Sequence, residues 1–238
     1  MKPSCGVVLV MSIAAALAIG MQPATAQPKV VADPAGPLEL VRVSVTRVLS
    51  IVQAPNAVSS DGGQRRTEIR RVAQGLFDFD EMARLTLAGH WKNRSGREQE
   101  EFARLFTDLL ERCYLTTIEN YAGERITFVG ESISGPYAQV RSRITTERRM
   151  EISIDYRLIE SGARWAVYDV VLDGVSLVSN YRSQFNSIIR TSSFADLLAK
   201  LRNRQIEAHA IPRTGHGSRG VGTGVGAVAG ALYDIYKK

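Results

Sequence analysis

Cysteine is almost absent from this chain: Cys5 and Cys113 are the only two. Cys5 sits in an N-terminal stretch that reads as a removable export signal. One thiol then remains, and no intramolecular disulfide can form even in an oxidising compartment. Cys113 falls on the apolar stripe of a helical pattern, where a free cysteine behaves as a small hydrophobe. Histidine is scarce too. His90, His209 and His216 have no His or Cys neighbour at metal-ligand spacing, and no H-E-x-x-H occurs, so no metal site is expected. Gly174-Val175-Ser176 and Gly130-Glu131-Ser132-Ile133-Ser134 lack the closing glycine of a nucleophile elbow. Gly224-Val225-Gly226 follows no strand pattern and leaves no room for a dinucleotide-binding unit. The short acids Asp78, Asp80, Asp169 and Asp173 suit turns and helix caps better than paired catalysis. These absences exclude the familiar enzyme classes, and no cofactor is expected.

Long apolar runs are missing as well. Val7 to Gly20 is apolar but shorter than the ~20 residues that span a bilayer. Lys2 before it and Ala24-Thr25-Ala26 after it complete a secretory signal, with cleavage expected after Ala26. An uncleaved anchor is the alternative. Residues 27–207 then form a single domain of ordinary size, able to bury a real core. Residues 208–238 are a Gly-rich, low-complexity tail, read as flexible. The chain is basic, with a net charge of +6. The export signal argues against a nucleic-acid partner for that charge. Arg65, Arg66, Arg70 and Arg71 cluster with i, i+4 spacing, and Arg141, Arg143, Arg148 and Arg149 form a second group. Each is a solvated face, or an attraction to anionic lipid or an acidic partner.

The first half of the remaining chain is helical by period. Pro37 opens one helix, with Leu38, Val41, Val45, Val48 and Val52 near one stripe and Pro55 as its stop. A loop is expected from Asn56 to Gly63. A second helix runs from Arg65 to Asp78 and a third from Phe79 to His90. Ser95 and Glu98 have capping-box spacing and open a long helix carrying Phe102, Leu105, Phe106, Leu109, Cys113 and Tyr114, closed at Gly123. The period then falls to two. Met150, Ile152, Ile154, Tyr156 and Leu158 alternate with polar residues, and Arg125–Ser132, Tyr137–Thr145 and Arg164–Leu172 are strand-like. Short turns between them make a four-stranded antiparallel meander. Two closing helices, Asn180–Arg190 and Phe194–Arg204, follow. The class is α+β: an antiparallel four-stranded sheet covered by several helices.

One ordered series of motifs goes further. Trp165-x-Val167-Tyr168-Asp169-Val170, then Gly174-Val175-Ser176-Leu177, then Asn180-Tyr181-Arg182-x-Gln184-Phe185 resembles the MlaC, or toluene-tolerance, family of periplasmic phospholipid-binding proteins. Phe77-Asp78-Phe79-Asp80-Glu81-Met82-Ala83-Arg84, Trp91, Glu98 to Phe102 and Tyr121-Ala122-Gly123 are similar to the same family. The likeness runs from Leu38 to Arg204. It implies an apolar lipid cavity between sheet and helices. It also implies a periplasmic carrier that shuttles phospholipid between inner-membrane components of an ABC transporter and an outer-membrane lipid complex, maintaining outer-membrane lipid asymmetry. A monomer is expected. A hopanoid or other polycyclic-lipid carrier, or a structural module of the envelope with a filled core, are the alternatives. If the Met150–Leu158 strand faces lipid tails, Ile152, Ile154 and Tyr156 are pocket walls. Phe128, Val140 and Val171 join them by alternation, an assignment sensitive to a one-residue slip. Apolar alternation alone shows a buried face; an ordinary filled core produces the same pattern.

Overall fold

Helix boundaries follow the caps written into the sequence. The computed structural model describes residues 36–54, 62–119, 121, 123–146, 149–162 and 164–206. The expected signal 1–26, the tail 208–238, Pro55, residues 56–61 of the expected loop and Arg148 lie outside these, while Gly62 and Gly63 of that loop are helical. Helix α1 (Pro37–Val52) carries its proline at the first position. Helix α2 spans Gly62–Leu76 and α3 Phe79–Leu87, whose first turn is capped by Asp78 accepting from the Glu81 amide at 2.9 Å. The expected run to His90 stops at Leu87 because Ala88 adopts φ 47°, and a 3₁₀ segment Ala88–Asn93 follows. Helix α4 (Gly96–Glu119) opens on the capping box: the Glu98 carboxylate accepts from the Ser95 amide at 2.9 Å and the Ser95 hydroxyl accepts from the Glu98 amide.

The strands are β1 (Arg125–Ser134), β2 (Tyr137–Thr145), β3 (Glu151–Ser161), β4 (Arg164–Leu172) and β5 (Val175–Ser176), paired antiparallel in that order. The sheet therefore has five strands where four were expected. The fifth is two residues long, too short to show a period. It is folded back by Asp173-Gly174, both at positive φ, the two-residue hairpin turn that this pair favours. Helix α5 (Leu177–Thr191) starts three residues before the expected Asn180, capped by Ser176, and α6 (Phe194–Arg202) is capped by Ser193.

Register decides which residues share a face. Ile144, Ser142, Val140 and Ala138 oppose Ile152, Ile154, Tyr156 and Leu158, while Tyr156 and Ile154 oppose Val170 and Leu172. Two bulges interrupt the alternation. One at Val129–Gly130, where Gly130 takes φ 151°, turns Glu131 rather than its neighbour toward α1, where its carboxylate accepts from the Leu38 amide at 2.7 Å. The other, at Tyr168, shifts the phase of β4. Two apolar clusters result. Val41 and Leu76 of α1 and α2 pack on Val140, Leu158 and Val167 of the sheet. Phe102, Phe106, Tyr181 and Phe185 form an aromatic core between α4 and α5, their rings mostly edge to face at 5.4–5.8 Å.

Candidate functional site

The two clusters do not close completely against each other. Between them lies a cavity of about 310 Å³. The sheet supplies Ile154 and Tyr156 from β3 with Val170 and Leu172 from β4. Facing them are Ile69 and Ala73 of α2, Met82 of α3, and Leu110, Tyr114, Leu115 and Ile118 of α4; Phe77, Phe79 and Leu177 complete the wall. The α4 residues recur at helical spacing, so one stripe serves both the aromatic core and the cavity. Polar groups are sparse: Arg70 and Glu111 at one side, with Thr117 nearby. The Arg70 Nε donates to Glu111 Oε1 at 2.7 Å, and this hydrogen bond, with the attraction of the carboxylate, holds the guanidinium still more firmly protonated. Their side chains are 41% and 23% exposed, which puts the pair at the cavity's rim.

Two tyrosines of the wall are pushed up to about 12 by burial, which disfavours the phenolate. A hydrogen bond with Ser142 partly opposes the shift at Tyr156. The Tyr114 and Tyr181 hydroxyls are fully buried beside Cys113, and neither has a hydrogen-bond partner of good geometry. Burial likewise raises Tyr181.

Of the six residues proposed from alternation, Ile154 and Tyr156 line the cavity. Phe128 and Val140 lie on the same face of the sheet but belong to the cluster roofed by α1. Ile152 is one pair further along β3, opposite Ile144, and is not part of the wall. Val171 pairs with Asp155, which puts it on the other face; its neighbours Val170 and Leu172 are the lining residues, because the bulge at Tyr168 reverses the alternation. Sequence reasoning missed the entire α2–α4 wall. The signal was present as apolar helix stripes, but such a stripe is identical whether it meets a side chain or a void.

The remaining candidates for chemistry have structural occupations. Asp169, 2% exposed, accepts from Ser176 Oγ at 2.7 Å, the Val178 amide at 3.0 Å and Arg157 at 3.1 Å, tying the start of α5 to β4. Asp173 accepts from the Ser153 amide, and His90 bonds Asn186. Arg66 reaches Glu119 of α4 with two bonds of 2.9 Å, so part of the first arginine cluster pins α2 to α4. Among the described residues no group of three or more His, Cys, Asp or Glu could hold a metal ion, and no helix is long and apolar enough to cross a membrane.

Comparison with known proteins agrees with this architecture. A relative from Haemophilus influenzae, the intermembrane phospholipid transport system binding protein MlaC, is 21% identical over 171 residues, covering 69% of this chain and 80% of the relative. A solved phospholipid-binding protein from Ralstonia solanacearum, in complex with a phospholipid, superposes with a TM-score of 0.64 at 21% identity, covering 73% of this chain and 97% of that one. The pattern of the MlaC protein family matches residues 42–203, most of the chain, and this protein belongs to that family.

Proposed function

We propose that this protein is a periplasmic lipid carrier that holds phospholipid acyl chains in the cavity between sheet and helices. The observation that carries the reading is the cavity itself. Protein interiors are close-packed, with few voids larger than a water molecule. Apolar walls that face one another across a space of about 310 Å³ forgo the dispersion contacts a packed core would give them. Water gains little from walls this apolar. An acyl chain fills the space and gains ~0.8 kcal/mol per buried methylene. The volume lies at the small end for ligand sites, ~300–1,000 Å³, so it takes chains and leaves the polar head outside. The relatives' phospholipid partners support the same reading.

In this reading residues 1–26 are removed on export, 27–207 carry the lipid and 208–238 trail as a tail. The carrier works as a monomer without catalysis, receiving and delivering lipid at an inner-membrane ABC transporter and an outer-membrane complex. Mass spectrometry of the protein purified from the periplasm tests both parts. The intact mass should begin at Gln27, and extraction should release a two-chain phospholipid in stoichiometric amount. A polycyclic lipid would shift the ligand class. A protein free of lipid would leave an envelope structural module as the better account.

A further inference from the structure

The chain beyond Ile206 carries one apolar segment, residues 225–236. In it Val225, Val228, Leu232 and Ile235 recur at intervals of three, four and three. That is the anchor spacing of a helix that lays one face into an apolar groove. Gly226 and Gly230 make the segment a poor helix alone, so its pattern is stable only against a partner surface. We propose that in the lipid-free protein this segment occupies the cavity of its own chain, with Leu232 and Ile235 inside, and that arriving lipid displaces it. This regulation rests on the lipid-carrier reading of the same cavity.

Three features along α4 fall in the order that such a segment requires. The described chain leaves beside the start of this helix: Arg202 meets Glu101 at 2.6 Å, and Ile206 is buried in the same cluster as Phe102. Next comes a polar cleft lined by Glu100, Asp108 and Glu111 of α4 and Asp80 of α3, with Arg70 and Arg104 against them. The cavity follows, from Leu110 to Ile118. From Glu101 to Tyr114 the helix rises ~20 Å, at ~1.5 Å per residue. A Gly-rich coil as long as residues 207–224 has an r.m.s. span of ~21–25 Å, at ~5–6 Å × √n. A linker matched to its span holds the segment near the cavity at an effective concentration of about millimolar. Charge agrees with that path. Residues 208–238 carry Arg213, Arg219, Lys237 and Lys238 against Asp234 alone, so a basic stretch of chain passes an acid-lined cleft. In the cavity, Leu232 and Ile235 supply the dispersion contacts that the facing walls forgo.

The test compares the full native chain, stripped of lipid, with the double variant Leu232→Asp, Ile235→Asp. Both substitutions lie in the tail, so residues 27–207 keep their own side chains. Hydrogen exchange of residues 225–236 should be slow in the stripped native chain, and fast in the variant and in the lipid-loaded native chain. The stripped variant should melt a few degrees below the stripped native chain. In the Ile154→Trp background, where the indole takes up the space, the same tail substitutions should leave the melting temperature unchanged. Equilibrated with phosphatidylcholine vesicles, whose surface is uncharged, the variant should retain several-fold more lipid than the native chain. A competitor at fixed local concentration lowers apparent affinity in just this way. Fast exchange of residues 225–236 in the stripped native chain, or equal lipid retention by the two chains, overturns the proposal while leaving the carrier intact. Slow exchange that appears only with vesicles would make the segment a membrane anchor, which overturns it too. A sedimenting mass that rises with concentration in the native chain but not in the variant would place the segment in a second copy's cavity, against the intramolecular form. Failure of both chains to take up lipid refutes the carrier reading instead.

Discussion

At Ile154 a filled interior and an open one respond differently to added volume. In a packed core, Ile154→Trp is overpacking and costs about 1–3 kcal/mol. Here the side chain borders the cavity, opposite Leu172, so the indole has space to enter. The melting temperature of the lipid-free variant should barely move while its lipid content falls. A strongly destabilised variant with a full lipid complement would refute the pocket. Tyr114 and Tyr156 make a second test at this scale. Burial raises both from an ordinary value of 10.0 to about 12, so the folded state holds their protons more tightly than the unfolded chain does. The stability this contributes is complete below pH 10 and is lost as pH climbs from about 10 to 12. Tyrosinate absorbance should show at least two late-titrating tyrosines, appearing as the chain unfolds. Bound lipid dries the cavity further, so Tyr156 should titrate later in the loaded protein.

Among the elements, the β4–β5–α5 corner carries most at a single side chain. Asp169 accepts three bonds from buried or partly buried donors and joins a strand, a turn and a helix start. Asp169→Ala orphans the Val178 amide and the Arg157 guanidinium, and a loss of about 2–4 kcal/mol is expected. Asp169→Asn preserves shape and part of the bonding, so its loss should be smaller. Urea midpoints at constant slope measure both. Because Leu177 follows the corner directly and lines the cavity, the alanine variant should also hold lipid less well. An alanine variant as stable as the native chain would show that the corner is held by its apolar neighbours instead. The bulges act at this scale too: without the one at Val129–Gly130, Glu131 would not meet the first turn of α1.

For the whole molecule, ligand and stability are linked. Whatever binds the folded chain alone stabilises it, by ~2.7 kcal/mol at a hundredfold excess over Kd. For a chain of this size that shifts the melting temperature by roughly 5–10 °C. Loaded protein should therefore melt well above stripped protein, and lipid added back should restore the difference. Coincident melting of the two forms would mean that the fold does not need the cavity filled. The charge of +6 adds a second expectation at this scale. Transfer to anionic membranes should be faster at low salt, where unscreened arginines steer the encounter.

The sequence by itself determined every long element. Pro37 and Ser95 with Glu98 mark helix starts because the first turn of a helix is set by near neighbours, whereas Asp78, expected at the end of one helix, caps the next. The change of period near Arg125 marks the passage to strands for an equally local reason. Motif order alone was enough to suggest the family. The tertiary structure decided the rest. Whether Ile69, Leu110 and Tyr114 meet a neighbour or a void depends on how far apart α2, α4 and the sheet come to rest. Val171 was displaced from the expected wall by one bulged residue, and a side-chain period of two turns a one-residue shift into a change of face. Arg70 and Glu111, distant in the chain, become a rim only when two helices pack. An apolar stripe records that a residue leaves water; only the assembled fold settles what it meets there.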